Sequence, residues 1–378
     1  MKTALAVLLL AVAGPALAAS FKLTLLVPAD DPRLARTRVE RAVPGHPQGP
    51  AADALQVALK EGALQLDAAG TKLELQVLEV ADATAARTAA QAAEKAGSAL
   101  LVADLPATWL LAAVDAVKLP VLNIGAADDR LRQADCRRTL LHLLPSDRMR
   151  ADALAQALVA RGWRRVLLLS GPDDAARSAT AQAAIKRYGL VLAGSKAFKL
   201  SADPRERELA NPRLLTQGEY DVVWVVDGDG EFGVSLPYRT VLPRPVVGDA
   251  GLVALAWSPK FERFGAPQVT RRLVKAVGRP MGAHDWGAWM AGKAAISAAV
   301  AVPKGPVAAF QQALIAAELD GSKGVVMAFR SWDGQLRQPL LLSDGQAVID
   351  TVPGDGVLHP KNRLDTLGAD APEKLCAR

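Results

Sequence analysis

The sequence predicts an α/β protein made of two doubly wound parallel-sheet lobes with a hinge and an interlobe cleft. Three observations carry this expectation. Short apolar runs alternate with Ala-rich stretches of helical length, the pattern of parallel strands joined through helical crossovers. The alternation begins afresh after residues 139–143, giving two sets. A chain of 378 residues is long enough for two domains, each burying a core of its own.

In the first set, residues 21–27 read as a strand, 51–66 as a helix, 73–80 as a strand and 84–96 as a helix. Strand 99–103, helix 107–117 and strand 121–124 follow, and the Pro- and Arg-rich stretch 30–50 interrupts the rhythm as a long loop. After a strand at 139–143, the second set runs as helix 148–161, strand 166–169, helix 174–188 and strands 190–198 and 221–226. Strand 246–247, a helical stretch at 271–277 and helices 285–300 and 307–319 complete the alternation. Residues 325–330 and 338–342 bracket Trp332-Asp333-Gly334, whose Asp-Gly pair predicts a hairpin. From Asp350 the composition turns to Pro, Gly and Asp, and an extended strap is expected, with no internal repeat anywhere.

The first 19 residues have the features of a secretory leader. Lys2 gives a positive start, residues 5–12 an apolar run too short to span a bilayer, and Pro15-Ala16-Leu17-Ala18-Ala19 a small-residue cleavage site after Ala18 or Ala19. An uncleaved anchor is the alternative, but Phe21 onward alternates with charged residues and no later run is long enough to span. A periplasmic address is therefore expected. The formal charge of +6 falls to +5 without Lys2, and the basic residues are scattered (Arg36, Arg38, Arg41; Arg161, Arg164, Arg165) with no aromatic-interleaved stripe. No nucleic-acid partner is expected.

Cys136 and Cys376 are the only cysteines, and an exported chain with an even count usually pairs them. One disulfide is expected, with two unpaired thiols as the alternative. The four histidines (His46, His142, His284, His359) have no metal-ligand spacing with either cysteine, which argues against zinc. No P-loop, zinc helix, haem motif or glycine-flanked nucleophile elbow occurs, so no enzymatic activity and no cofactor are expected.

Three stretches resemble a known family: residues 21–28 as a first strand, Pro120-Val121-Leu122-Asn123-Ile124-Gly125-Ala126 as the strand and loop after the third helix, and Arg164-Arg165-Val166-Leu167-Leu168-Leu169 as the strand opening a second lobe. These resemble the type I periplasmic binding proteins of the branched-chain amino acid ABC importers. The resemblance implies three crossovers between lobes, with residues 20–142 plus 250–323 in one lobe and 143–249 plus 324–378 in the other. It also implies a monomer that hands a small molecule to an inner-membrane ABC permease. A narrower resemblance, carried by residues 145–154, His284-Asp285-Trp286-Gly287-Ala288-Trp289 and the tail 359–368 ending at Cys376, is to the substrate-binding subgroup encoded beside pyrroloquinoline-quinone-dependent (PQQ-dependent) alcohol oxidation systems. It implies import or sensing tied to alcohol catabolism.

The chain departs from amino-acid receptors at one place. Those receptors hold the ligand carboxylate with Ser and Thr after the third strand, where this chain has Asp104-Leu105-Pro106-Ala107-Thr108-Trp109. A carboxylate would be repelled there unless Asp104 turns away. Acids recur after other strands as well: Asp30 and Asp31, Asp128 and Asp129, Asp173 and Asp174, Asp227 and Asp229, and Asp249. As a set they would favour an amine or a hard metal ion; singly, each reads as a turn or helix cap. Asp227-Gly228-Asp229-Gly230-Glu231 lacks the spacing of a calcium loop. The chain has only seven Trp, seven Phe and three Tyr, so Trp109, Trp257, Trp286 and Trp289 are candidates for stacking on a ligand, while Trp224, inside a strand, reads as core.

The expected ligand-binding residues are Asp104, Thr108, Trp109, Asn123, Ala126, Asp173, Asp227, Asp249 and Trp286, chosen by strand-end position. The acids favour a cation and the tryptophans an organic ligand such as an alcohol or its oxidation product. A ligand sensor without transport is the remaining alternative.

Overall fold

A computed structural model of the chain describes residues 19–37 and 43–377. The expected leader lies outside them, except for Ala19. The chain opens with β1 (Ala19–Pro28), α1 (Ala51–Glu61), α2 (Ala63–Ala69), β2 (Thr71–Val80), α3 (Ala83–Lys95), β3 (Ser98–Ala103), α4 (Ala107–Val114), β4 (Val121–Asn123) and β5 (Leu140–His142). These strands form one parallel sheet in the order β2-β1-β3-β4-β5. Strand periodicity sends alternate side chains to opposite faces: Leu23, Leu25, Leu100 and Val102 enter one core, and Leu26, Leu101 and Ala103 the other. A central parallel strand is covered on both sides, and β3 is buried throughout.

A second parallel sheet, in the order β7-β6-β8-β9, follows α5 (Asp147–Ala160). It comprises β6 (Arg165–Ser170), α6 (Ala175–Arg187), β7 (Val191–Ala197), the short α7 (Pro212–Leu215), β8 (Val222–Val226) and β9 (Val246–Gly248). Val166, Leu168, Val222 and Trp224 face the core under α5 and α6, while Leu167, Leu169, Val223 and Val225 face the opposite side. The expected α/β class with two parallel sheets is the observed one. Ser146 caps α5 by accepting from the Met149 amide at 3.2 Å.

The chain then returns through β10 (Val253–Leu255) to the first core, adding α8 (Ala266–Val277), α9 (Ala283–Ala301) and α10 (Val307–Ile315). It finishes with β11 (Leu319–Asp320), β12 (Val326–Met327), β13 (Leu340–Ser343) and β14 (Val348–Val352). The order β10-β13-β14 makes a small antiparallel sheet between the lobes: on β13, Leu340 and Leu342 point into the second core and Leu341 into the first.

Four elements differ from expectation. The helix expected at 51–66 breaks at Gly62, where a Cβ would stand 2.5 Å from Ile296 Cδ1 on α9. The helix expected at 307–319 stops at Ile315, because Leu319–Asp320 pairs with Val326–Met327. That pairing and the partners of β13 leave only one bridge, Phe329 to Leu336, of the hairpin expected around Trp332-Asp333-Gly334. The strap expected from Asp350 begins inside β14 and continues past two 3₁₀ turns, Arg363–Thr366 and Ala371–Glu373.

The lobes are joined by polar side chains reading crossover carbonyls. Gln335 Nε2 donates to His142 O (3.2 Å) and Leu144 O (3.1 Å), and Gln338 Nε2 to Leu143 O (2.6 Å). Lys323 Nζ, fully buried, donates to Gln338 Oε1 (2.9 Å) and Pro339 O (3.1 Å) and sits 3.8 Å from the centre of the Trp286 ring. Two carbonyl acceptors and one π face match the three protons of an ammonium, although burial alone lowers its pKa.

The expected disulfide is present: Cys136, before β5, is bonded to Cys376 in the tail across 240 residues. The tail is itself fastened to the second lobe. Gly368 N donates to Asp152 Oδ2 on α5 at 2.9 Å, Tyr188 Oη to Thr366 O at 2.9 Å, and Arg148 Nη2 to Glu373 Oε1 at 2.7 Å. On the chain-entropy account, closing so long a loop contributes about 5 kcal/mol. Reduction, or Cys136→Ser, is expected to lower the urea unfolding free energy by up to that amount with an unchanged far-ultraviolet circular dichroism spectrum. Equal midpoints with and without reductant would contradict it.

Candidate functional site

At the strand ends of the first sheet, the charged group is already neutralised. Asp104, buried just after β3, lies 2.8 Å from His284 Nε2 and 2.9 Å from Arg33 Nη1. Arg33 comes from the β1–α1 loop and also holds Asp31, through Nε at 2.9 Å and Nη2 at 2.7 Å. Burial raises the Asp104 pKa, but His284 and then Arg33 outweigh it and hold the carboxyl below its ordinary value. Asp104 is thus engaged by a histidine and by an arginine about seventy residues away in the chain, an arginine it shares with Asp31.

Asn123 and Ala126 are together, in a closed loop. Asn123 Oδ1 accepts from the Gly125 and Ala126 amides (3.1 and 2.9 Å), and its Nδ2 lies 2.7 Å from Ala126 O and 2.9 Å from His142 Nδ1. Its side chain has no hydrogen-bonding capacity left for a ligand. Thr108 is exposed on α4, and Trp109 packs half-buried against the core on that side. Trp286 is fully buried, stacked on Trp257 with ring centres 6.3 Å apart, and its Nε1 donates to Gly321 O at 3.1 Å. These side chains do not converge.

At the second sheet a convergent group exists. Gly248 and Gly251, both at positive φ, fold the chain back after β9, and a Cβ on either would stand about 2 Å from a carbonyl oxygen (Val225 O at 2.0 Å, Val246 O at 2.1 Å). This turn presents Asp249, whose Oδ1 accepts from Arg177 Nη2 at 2.6 Å and whose Oδ2 accepts from the Asp227 amide at 2.7 Å. Arg177 Nη1 also reaches Asp174 at 3.2 Å. Asp227 is buried and accepts from the Gly233 amide at 2.7 Å; burial pushes its pKa up. Asp173 is exposed and outside the group.

Of the acids that do converge, Asp249 and Asp174 are paired with Arg177 and Asp227 is engaged by a backbone amide. Among the described residues, no group of three or more His, Cys, Asp or Glu side chains is placed to hold a metal ion. The cation expected from the set of strand-end acids loses its basis for this reason.

Next to this group is a cavity of about 160 Å³ lying between the lobes. Val43 and Gly45 reach it from the β1–α1 loop and Leu255 from β10, while Leu154, Trp224 and Val253 form an apolar wall. Its charged lining is Asp147 and Arg150 on α5, Arg177 on α6, and Asp249. Strand-end reasoning missed Asp147, Arg150 and Arg177, which are on helices. The available signal was the three-residue spacing of Asp147 and Arg150, which puts them on one helical face.

Burial pushes the Asp147 pKa up to about 6, and nearby Asp129 and Asp249 add to this against the opposing Arg150 and Arg177. A raised carboxyl pKa means that the folded state binds more protons between the unfolded value and 6, so stability falls as pH rises through that window. Asp147→Asn is expected to raise the unfolding free energy by about 1–2 kcal/mol at pH 7.5 and to change it little at pH 3.5. Urea titrations at both pH values check this; an equal shift at each would contradict it.

No family model and no curated protein matches the sequence. Solved structures do match by fold. A branched-chain amino acid ABC transporter periplasmic ligand-binding protein from Burkholderia xenovorans superposes with a TM-score of 0.73 at 14% identity, covering 94% of this chain and 99% of that one. An ABC transporter substrate-binding protein from Sphaerobacter thermophilus gives 0.70 at 17% identity, covering 88% and 98%. A solute-binding protein of an ABC transporter from R. palustris, in complex with benzoate, gives 0.63 at 14%, covering 85% and 92%. At such identities the likeness establishes the fold alone, the two-lobed fold of type I periplasmic binding proteins.

Proposed function

We propose that the chain is an extracytoplasmic solute-binding component of an ABC transporter, binding a small molecule linked to PQQ-dependent alcohol oxidation. One observation carries the receptor reading: the cavity between the lobes is lined from both sides and by β10, the strand through which the chain returns to the first lobe. A ligand there touches both lobes at once, so its binding free energy favours the closed arrangement. With the chain divided as 20–142 plus 250–323 against 143–249 plus 324–378, closure is a rotation about the three crossovers. The closed form would dock on an inner-membrane permease as a monomer.

The leader-like residues 1–19 support a periplasmic address, and among the described residues no helix is long and apolar enough to cross a membrane. The tail, residues 359–368, supports the link to alcohol oxidation. Benzoate in the R. palustris structure supports an organic solute of modest size. The candidate contacts are Asp249 from the strand ends, joined by Asp147, Arg150 and Arg177, while Asp227 and Asp104 lie outside the cavity lining.

A thermal-shift screen of alcohols, aldehydes, carboxylic acids and amino acids tests this, since a ligand at one hundred times its Kd adds about 2.7 kcal/mol. A stabilising compound is expected to reduce the radius of gyration in small-angle X-ray scattering. Its uptake is expected to fall when the gene is deleted. Binding with unchanged uptake would instead assign sensing, and no compound altering either stability or shape would overturn the receptor reading.

A further inference from the structure

We propose that one buried water molecule is a fixed part of the join between the lobes, accepting from Arg148 Nε and Arg330 Nη1 and donating to Asp333, in a small cavity separate from the one beside Asp249.

The first argument is a pair of orphaned donors. Arg330 is buried and spends Nε on Asp365 Oδ1 (2.9 Å) and Nη2 on Leu364 O (2.9 Å) and Leu367 O (2.8 Å), while its Nη1 meets no acceptor among the described residues. Asp333 Oδ2 stands 3.5 Å from that nitrogen, too far for a good hydrogen bond. Arg148 repeats the pattern: Nη1 and Nη2 hold Glu373 at 3.0 and 2.7 Å, and the buried Nε has no partner, with Asp152 Oδ2 at 3.6 Å. A charged donor stranded in the interior is costly, so both positions call for an acceptor.

The second argument is space. Both arginines line one cavity of about 10 Å³, together with Arg132, Ser146, Asp333 and Gly368. A volume of that size holds a single water. Gly368, at φ +87°, borders it: a Cβ there would stand 2.9 Å from Met149 Cγ and 3.4 Å from Arg330 Nη1. The cavity shares no lining residue with the larger one between the lobes.

The third argument is the chemistry of the lining. A cation would meet the guanidinium groups of Arg132, Arg148 and Arg330, and an anion on Arg330 Nη1 would lie against the Asp333 carboxylate. Water alone among small occupants accepts from two arginines and returns its own protons to oxygen. Asp129 is an unsuitable receiver, because its two oxygens already accept from Arg148 N (2.9 Å) and Thr180 Oγ1 (3.1 Å). Gln335 Oε1 likewise accepts from Arg132 Nε at 3.0 Å. Asp333 and the Ser146 hydroxyl are left as the receivers. So bonded, the water ties the start of α5 to the segment between β12 and β13, and it leaves only when those two part.

A crystal structure that resolves ordered waters, from crystals soaked in sodium bromide, tests the occupant. Density is expected within hydrogen-bond distance of Arg148 Nε and Arg330 Nη1, with no anomalous signal from bromide. Magnetic relaxation dispersion of water oxygen tests its tenure in solution. The near-isosteric Asp333→Asn replaces a receiver with a donor and is expected to shorten the residence time of one long-lived water about tenfold, the loss of one hydrogen bond. Asp350→Asn, outside the lining, is expected to leave it unchanged. Circular dichroism of each variant separates a lost water from a lost fold, and the crystal of the unaltered chain carries the test if Asp333→Asn does not fold. An empty cavity, bromide between the two nitrogens, or a residence time unmoved in a folded Asp333→Asn would each overturn the proposal.

Discussion

The structure depends on how the segments 142–144 and 335–338 are held in register by a few buried side chains. Gln335 and Gln338 read the successive carbonyls of His142, Leu143 and Leu144 from just before β13. Arg132 adds to the same join, donating from Nε to Gln335 Oε1 and from Nη2 to Leu144 O. An amide side chain is suited to this because it donates and accepts without bringing a charge into the interior. Lys323 is the exception: a buried ammonium with no carboxylate beside it, tolerated because two carbonyl oxygens and the Trp286 ring meet its protons. Breaking any of these contacts strands a buried polar group, so the join resists sliding while leaving backbone torsions free to rotate.

Two of the strand-end acids follow a second rule, each answered by an arginine from a different element. Arg33 reaches Asp104 from a loop, and Arg177 reaches Asp249 from a helix. Asp147 and Arg150, on α5, stand apart from these pairs, with 3.7 Å as their closest approach to each other.

Most of the fold was legible because parallel strands buried on both faces are written as unbroken apolar runs, as in Leu100, Leu101 and Val102 or in Leu167, Leu168 and Leu169. What failed were elements fixed by distant partners. Nothing near Val326 in the sequence indicates that it pairs with Asp320 and not with the residues beyond Asp333. The site was less legible for the same reason. Strand-end position found Asp104, Asp227 and Asp249, but the arginines that pair with Asp104 and Asp249, Arg33 and Arg177, each lie about seventy residues away in the chain. Trp286 was a reasonable candidate by residue type, yet Trp257 and Lys323 occupy its two faces in the core.

The tail illustrates how a sequence signature and a ligand site can part company. Residues 359–368 carry the narrower family resemblance, and in the structure their side chains work as fasteners. Asn362 caps a 3₁₀ turn through the Leu364 amide at 3.0 Å, and Asp365 takes the buried Arg330 Nε at 2.9 Å and Arg337 Nε at 2.8 Å. The tail therefore specifies a strap, not a pocket. Past Glu373, its last clamp on α5, only three residues remain to Cys376, whose disulfide partner Cys136 belongs to the first lobe. Three extended residues span about 10 Å. The strap thus limits how far the two anchors can separate while it stays fastened, so wide opening must either pivot near that edge or release the Arg148 to Glu373 pair. That pair is bidentate, with Arg148 Nη1 and Nη2 on the two Glu373 oxygens at 3.0 and 2.7 Å and the guanidinium largely buried, so a pivot near that edge is the less costly of the two.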